Sequence, residues 1–220
     1  PLTPIQLSAE RLQRKLEGKL PEAETAVLDK SVRTIVDQVD AMKRLVNEFR
    51  DYARLPAAEL KPLDLNALIV DVLALYGGEG QAAAQIVREL DPACPQIQGD
   101  AQQLRQVVHN LLQNAQDACE AVADRPPRVI IRTEWSALRQ RVRLTVSDSG
   151  PGFEPHILQR AFEPYVTTKS KGTGLGLAVV KKIADDHRAR IDLGNVQQDG
   201  QTVGAQVSLS FMLDNKSSST

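Results

Sequence analysis

"KGTGLGLAVVKKIADDH", Lys171 to His187, sets three glycines on alternate positions directly ahead of an apolar run with helical spacing. A glycine inside a helix costs about 1 kcal/mol relative to alanine, so three at a helix mouth ask for a reason in bare backbone. The first N–H groups of a helix have no intrahelical partner, and with the helix dipole they form an anion site. Without side chains in the way, a phosphate can reach that backbone. Two common nucleotide loops are excluded by spacing: the glycines read GxGxG after a loop rather than GxGxxG after a first strand, and no GK[ST] completes a Walker A. A helix mouth without an anion is also common. The stretch needs company to mean more.

Working outward, "ARIDLGNV" and "TVGAQVSLSF" follow as strands, while "RVIIRTEW" and "RVRLTVSD" alternate on either side of a loop around Ala137, as antiparallel strands do. "QIVREL" alternates as another strand, Asn66–Tyr76 has the pattern of a short amphipathic helix, and Asp100 is placed to N-cap a long helix reaching about Val122. Helices with a largely antiparallel sheet predict an α+β two-layer sandwich over residues 64–213. "DNKSSST" at 214–220 reads as a disordered tail.

The first quarter has a different rhythm. Leu28, Val32, Ile35, Val39, Met42, Val46, Phe49 and Ala53 step by three and four, and Leu2, Ile5, Ala9, Leu12 and Leu16 obey the same rule upstream. Gly18 and Pro21 punctuate between them, so residues 1–55 predict a helical hairpin. Two narrow seams enclose no core alone, and a homodimeric four-helix bundle satisfies both; packing on the C-terminal domain is the alternative. "LPAAELKPLDL", Leu55–Leu65, carries two prolines and reads as a linker at 56–63.

Composition narrows the function. A net charge of -1 argues against a field for nucleic acid, and 4% aromatic residues argue against base-stacking platforms. Cys94 and Cys119 lack CxxC spacing and read as reduced thiols. No apolar run reaches the roughly 18 residues of a membrane span and no signal peptide opens the chain, so it reads as cytoplasmic, with room to be a portion of a longer protein.

Three other stretches carry candidate chemistry. In "LRQVVHNLLQNAQDA", Asn110 and Asn114 are four apart and project from one helical face. Such a pair is either solvated surface or an oxygen source for magnesium, which takes one or two protein groups beside phosphates. In "VSDSGPGF", Asp148 ends a strand with Gly150 and Gly152 beside it. That is a tight turn, or a carboxylate for an exocyclic amine such as adenine N6 with room for a flat base. "FEPHILQRAFEPYVTTKSK" then offers a long loop with Phe153, Phe162, Tyr165, Thr167, Thr168 and Lys169, suited to a lid with a lysine for phosphate.

In this order, "HNLLQNAQDA", "DSGPG", "FEPYVTTK" and "GTGLGL" resemble the N, G1, F and G2 boxes of the sensor histidine kinase ATP-binding domain, in the superfamily shared with gyrase, Hsp90 and MutL. The resemblance implies ATP and Mg2+. It places adenine on Asp148 with Gly150 and Gly152, and metal on Asn114 assisted by Asn110. The phosphates fall to Gly172, Thr173, Gly174, Leu175, Gly176 and Leu177, with Thr168 and Lys169 at the lid. "PLTPIQLSAERL" resembles the dimerisation helix of NtrY-type nitrogen-regulation sensors, in which the phosphoacceptor His lies five residues before this Pro1. His109, His156 and His187 lie in other segments, so the expectation is nucleotide binding without self-labelling. A response-regulator receiver domain, NtrX-like, is the implied partner in a phosphorelay, and any membrane contact is expected through upstream segments. Two positions depart from the pattern. Asp117 stands where many sensor kinases have a basic residue, and Asn110 stands where the hydrolases have a water-activating Glu, which favours phosphoryl transfer over ATP hydrolysis. The alternatives are a nucleotide-binding dimerisation scaffold and a gyrase-type ATPase.

Overall fold

The computed structural model describes residues 2–76, 84–122, 124–167, 169 and 172–213, the side chains of Arg44, Glu48 and Asp51 excepted. The predicted tail at 214–220 lies outside them. The chain divides into two compact units, residues 1–55 with 168–173, and residues 56–167 with 174–220.

In the first unit, α1 (Leu2–Leu16) and α2 (Glu22–Ala53) form the hairpin that the seams predict. Gly18 turns the chain at φ +70°, a left-handed conformation that glycine adopts without strain. Pro21 precedes α2, whose first turn carries Glu22 and Glu24 at the positive end of the helix dipole. Gln13 Nε2 donates to Asp29 Oδ1 at 2.8 Å, and Lys43 Nζ donates to Gln6 Oε1, holding α1 on α2. The seam is half satisfied. Ala9, Val32 and Val39 are buried, yet Ile5, Leu12, Ile35, Met42, Val46 and Phe49 remain 42–55% exposed.

In the second unit, β2 (Gln85–Leu90), β4 (Arg128–Ser136), β5 (Arg141–Asp148), β6 (Arg190–Gln198) and β7 (Gln201–Met212) make a sheet in the order β2-β4-β5-β7-β6. One face is covered by helices: α3 (Leu65–Ala74), α4 (Ala101–Glu120) and α6 (Gly176–Asp186). Val129 and Ile131, Val142, Leu144 and Val146, and Val207, Leu209 and Phe211 alternate inward to meet Leu104, Val107, Val108, Leu111 and Leu112 of α4. The antiparallel pairs β4–β5, β5–β7 and β6–β7 agree with the alternation in the sequence. The pairing of β2 with β4 does not: it is parallel, with α4 in the connection.

The predicted linker needs correction at both ends. Residues 61–63 form β1 (Lys61–Leu63), antiparallel to β3 (Ile97–Gly99). Pro62 fits because a two-stranded sheet has an edge where a missing N–H is harmless. Glu59 N donates to Asp100 Oδ2 at 3.0 Å and Gln103 Nε2 donates to Pro56 O at 2.9 Å, so this stretch is built into the α/β unit. Asp100 caps α4 as the sequence predicts, accepting from Gln102 N and Gln103 N. Among the described residues, no helix is long and apolar enough to cross a membrane.

Candidate nucleotide-binding site

Asp148 is the polar end of an apolar row. Val142, Leu144, Val146 and Asp148 share one face of β5, so the strand's two-residue period carries the carboxylate into the space beneath the helices. Its Oδ1 accepts from Gly150 N at 2.8 Å and from Ala205 N, on β7, at 3.1 Å. Two backbone donors therefore fix the rotamer. The neighbouring Gly204 is obligatory, since a Cβ there would lie 1.8 Å from Asp148 O. Gly204 and Ala205 went unread in the sequence, where "TVGAQV" shows only a strand interrupted by glycine; an interior glycine of that kind marks close backbone approach.

The glycines of the "DSGPG" box answer to the protein packed around them. A Cβ at Gly150 would meet Ala118 Cβ at 2.8 Å and Ala118 O at 2.9 Å, because the turn rests on α4. Gly152 has φ +84°, and its Cβ would lie 2.4 Å from Thr202 Cγ2. Packing alone therefore requires glycine at both positions, beside the sequence expectation that they leave room for a flat base.

At the other end of α4, Asn110 and Asn114 meet the start of α6. Asn110 Nδ2 donates to Gly176 O at 3.4 Å, and a Cβ on Gly176 would lie 3.4 Å from Asn114 Nδ2. That is ordinary contact, so among the described residues no neighbour forbids a side chain at Gly176. Leu175 precedes the helix with no side-chain cap on the first turn. The Leu175 side chain is wholly buried and anchors the start of α6 in the core. Leu177 is half-buried on the first turn of α6. Gly174 has φ +69° and its carbonyl accepts from Tyr165 N–H at 3.0 Å; a Cβ there would strike Tyr165 backbone at 2.6 Å. Lys169, Gly172 and Thr173 belong to the first unit's residues, where Gly172 N donates to Lys169 O at 3.1 Å. Thr168 lies outside the described residues.

The three histidines have other work. His187 is buried with both ring nitrogens engaged: Nε2 accepts from Asp100 N at 2.9 Å and Nδ1 pairs with Ile183 O at 2.8 Å. His109 Nδ1 pairs with the Tyr76 hydroxyl at 2.6 Å, and partial burial pushes that phenol above its usual pKa. His156 is exposed beside Glu154, 3.4 Å away. Asp117 accepts from Gln113 Nε2 on its own helix. Cys94 and Cys119 stand as free thiols.

The Asp148 turn and the start of α6 thus lie along one helix, with Ala118 at the Asp148 end and Asn110 and Asn114 at the Gly176 end. A family model described as "Histidine kinase-, DNA gyrase B-, and HSP90-like ATPase" matches residues 99–215, which covers all of these positions. The chain belongs to that family. A second model, "His Kinase A (phospho-acceptor) domain", matches residues 1–58. The chain is 37% identical over 202 residues to the nitrogen regulation protein NtrY of Azorhizobium caulinodans, across 90% of the chain and 25% of that protein. It is 34% identical to a putative NtrY-like sensor histidine kinase of Rickettsia bellii, across 97% of the chain and 33% of that protein. The chain therefore spans about a quarter to a third of these curated relatives. Among solved structures, full-length ShkA in complex with AMPPNP superposes with a TM-score of 0.66 at 28% identity, over 95% of this chain and 43% of that one.

Proposed function

We propose that the chain binds Mg-ATP between Asp148 and the mouth of α6 and transfers the γ-phosphoryl group to a histidine, for relay to an aspartate of a response regulator. The observation that carries this is the use of α4 as a common base plate. Ala118 supports the Gly150 turn that fixes Asp148, and Asn114 and Asn110, one and two turns nearer the helix start, approach Gly176. Eight residues of helix rise about 12 Å, a span that an extended nucleoside triphosphate bridges from base to phosphates.

The residues have separable tasks. Asp148, held by two amides, accepts from the exocyclic amine of adenine. The uncapped first turn of α6 presents N–H groups and the positive dipole end to phosphate oxygens. Asn114 and Asn110 supply neutral oxygen donors of the kind that suits a hard cation, and Gly176 leaves the space beside them clear. Magnesium, when bound, neutralises charge on the phosphates. In the transfer, an imidazole nitrogen forms a bond to the γ-phosphorus as the bond to the bridging oxygen breaks, and ADP leaves. Asn110 offers no base for water, which favours transfer over hydrolysis. The match of residues 1–58 to the phosphoacceptor model and the half-exposed hairpin seam support pairing of two copies through that hairpin. Similarity to NtrY supports an NtrX-like receiver as the partner and a membrane-anchored parent.

Titration calorimetry with Mg-ADP is the test. Saturable binding that EDTA removes is expected, and Asp148→Asn should weaken it by about tenfold or more, since the amide puts an NH2 or a weaker acceptor where a carboxylate met a donor. Equal affinity in the variant would remove the reading.

A further inference from the structure

Next to the proposed site, β6 grips the chain at a point that the four boxes do not explain. Asn195 lies on β6 opposite Ala205, the residue whose amide fixes Asp148. Its side-chain amide takes both backbone groups of Phe153: Phe153 N donates to Asn195 Oδ1 at 2.6 Å, and Asn195 Nδ2 donates to Phe153 O at 2.9 Å. Only one orientation of the amide satisfies both bonds, so the side chain acts as a single extra strand residue. The residue before is seated as firmly. Gly152, at φ +84°, has space for no Cβ, which would lie 2.4 Å from Thr202 Cγ2 and 3.0 Å from Asn195 Oδ1.

What leaves this grip is an arm. After Phe153 come α5 (Pro155–Leu158), turns closed by Arg160 N to Ile157 O and Glu163 N to Arg160 O, and then Tyr165, whose N–H meets Gly174 O. One end of the arm is therefore joined to the Asp148 turn and the other to the glycines ahead of α6. A backbone held at two points by a side chain moves less than one held by none. We propose that Asn195 is a positioning residue: its two-bond clamp on Phe153 fixes the root of this arm, so that the arm's far end meets Gly174 in the register that phosphate binding requires. The inference rests on the Mg-nucleotide reading above and adds a residue to it.

The prediction is a split between ligands. Wild-type chain and Asn195→Asp are titrated with Mg-bound non-hydrolysable ATP analogue and with AMP. The aspartate loses the donor and faces a carboxylate oxygen to Phe153 O. Expected is about a tenfold loss for the ATP analogue, the size of one hydrogen bond, with AMP affinity within about twofold of wild type. Equal losses on both ligands, or none on either, overturn the proposal. Thermal melts accompany both. Should Asn195→Asp fail to fold, Asn195→Ser, which keeps a hydroxyl able to reach one bond, is read with the same pair; failure of both to fold shows a structural joint and also overturns it. Absence of binding by the wild type strikes the nucleotide reading itself, a result distinct from an unsplit variant.

Discussion

The two units handle the same kind of residue in opposite ways. In the α/β unit, Leu104, Leu111, Leu112, Ile131, Leu144 and Leu209 are at most 2% exposed, and their rows end in a polar group that has a task. In the hairpin, Ile35, Met42, Val46 and Phe49 repeat at seam spacing, yet each keeps at least 42% of its surface. A sheet covered by helices closes its own core, whereas two helices with narrow seams leave half of each seam looking for company. The first unit is designed to be finished by another surface, and the second is finished within itself.

The largest effect that can break this contrast lies in the closed core. Leu112→Ala, from a site with no exposure, should cost about 2–5 kcal/mol through lost burial and a residual cavity, read as a lower midpoint in denaturant melts. A loss below about 1 kcal/mol would mean the core is looser than it looks. Next comes the open seam. Phe49→Asp, at 49% exposure, should leave the melting of the α/β unit and its Mg-ADP affinity unchanged while sedimentation shifts from a pair to a single chain. A variant that still sediments as a pair would assign the seam another role.

The smallest effect is electrostatic. At Asp100, partial burial acts to raise the pKa, but the N–H donors of Gln103, Glu59 and Gln102 and the nearby His187 together outweigh it and hold the carboxyl below its usual 3.8. Asp91 is lowered likewise by the N–H groups of Trp135 and Ala93. A depressed carboxylate adds stability that is present above its unfolded pKa and is lost as pH falls through the folded one. Stability of the α/β unit should therefore decline below about pH 4, and Asp100→Asn, still a competent cap, should flatten that acid limb. An unchanged limb in the variant would clear Asp100 of the role.

Much of this architecture is legible in the sequence, for local reasons. The seam of α2, the cap at Asp100 and the alternation of β4, β5 and β7 are each written within a few residues, where periodicity operates. The parallel partnership of β2 and β4 and the β1–β3 pair are not, because strands distant along the chain leave no mark of which neighbour they choose. "LKPL" reads as linker since proline argues against a strand, and it takes an edge to admit one. The glycines at 150 and 152 show the same limit at the site. Sequence shows that side chains are missing there, and only the neighbours Ala118 and Thr202 show why. Asn195 has no signature at all; an amide in a polar edge strand looks like surface until Phe153 arrives.

The bond from Ala205 to Asp148 crosses 57 positions of chain, and it sets an order of events. During synthesis from the N-terminus, α1 and α2 are complete once residue 53 has emerged, long before the sheet. Asp148 emerges later and cannot take its final pose until β7 follows and pairs beside β5. The hairpin thus closes from neighbouring sequence alone, while the pose of Asp148 waits on a strand that emerges more than fifty residues later.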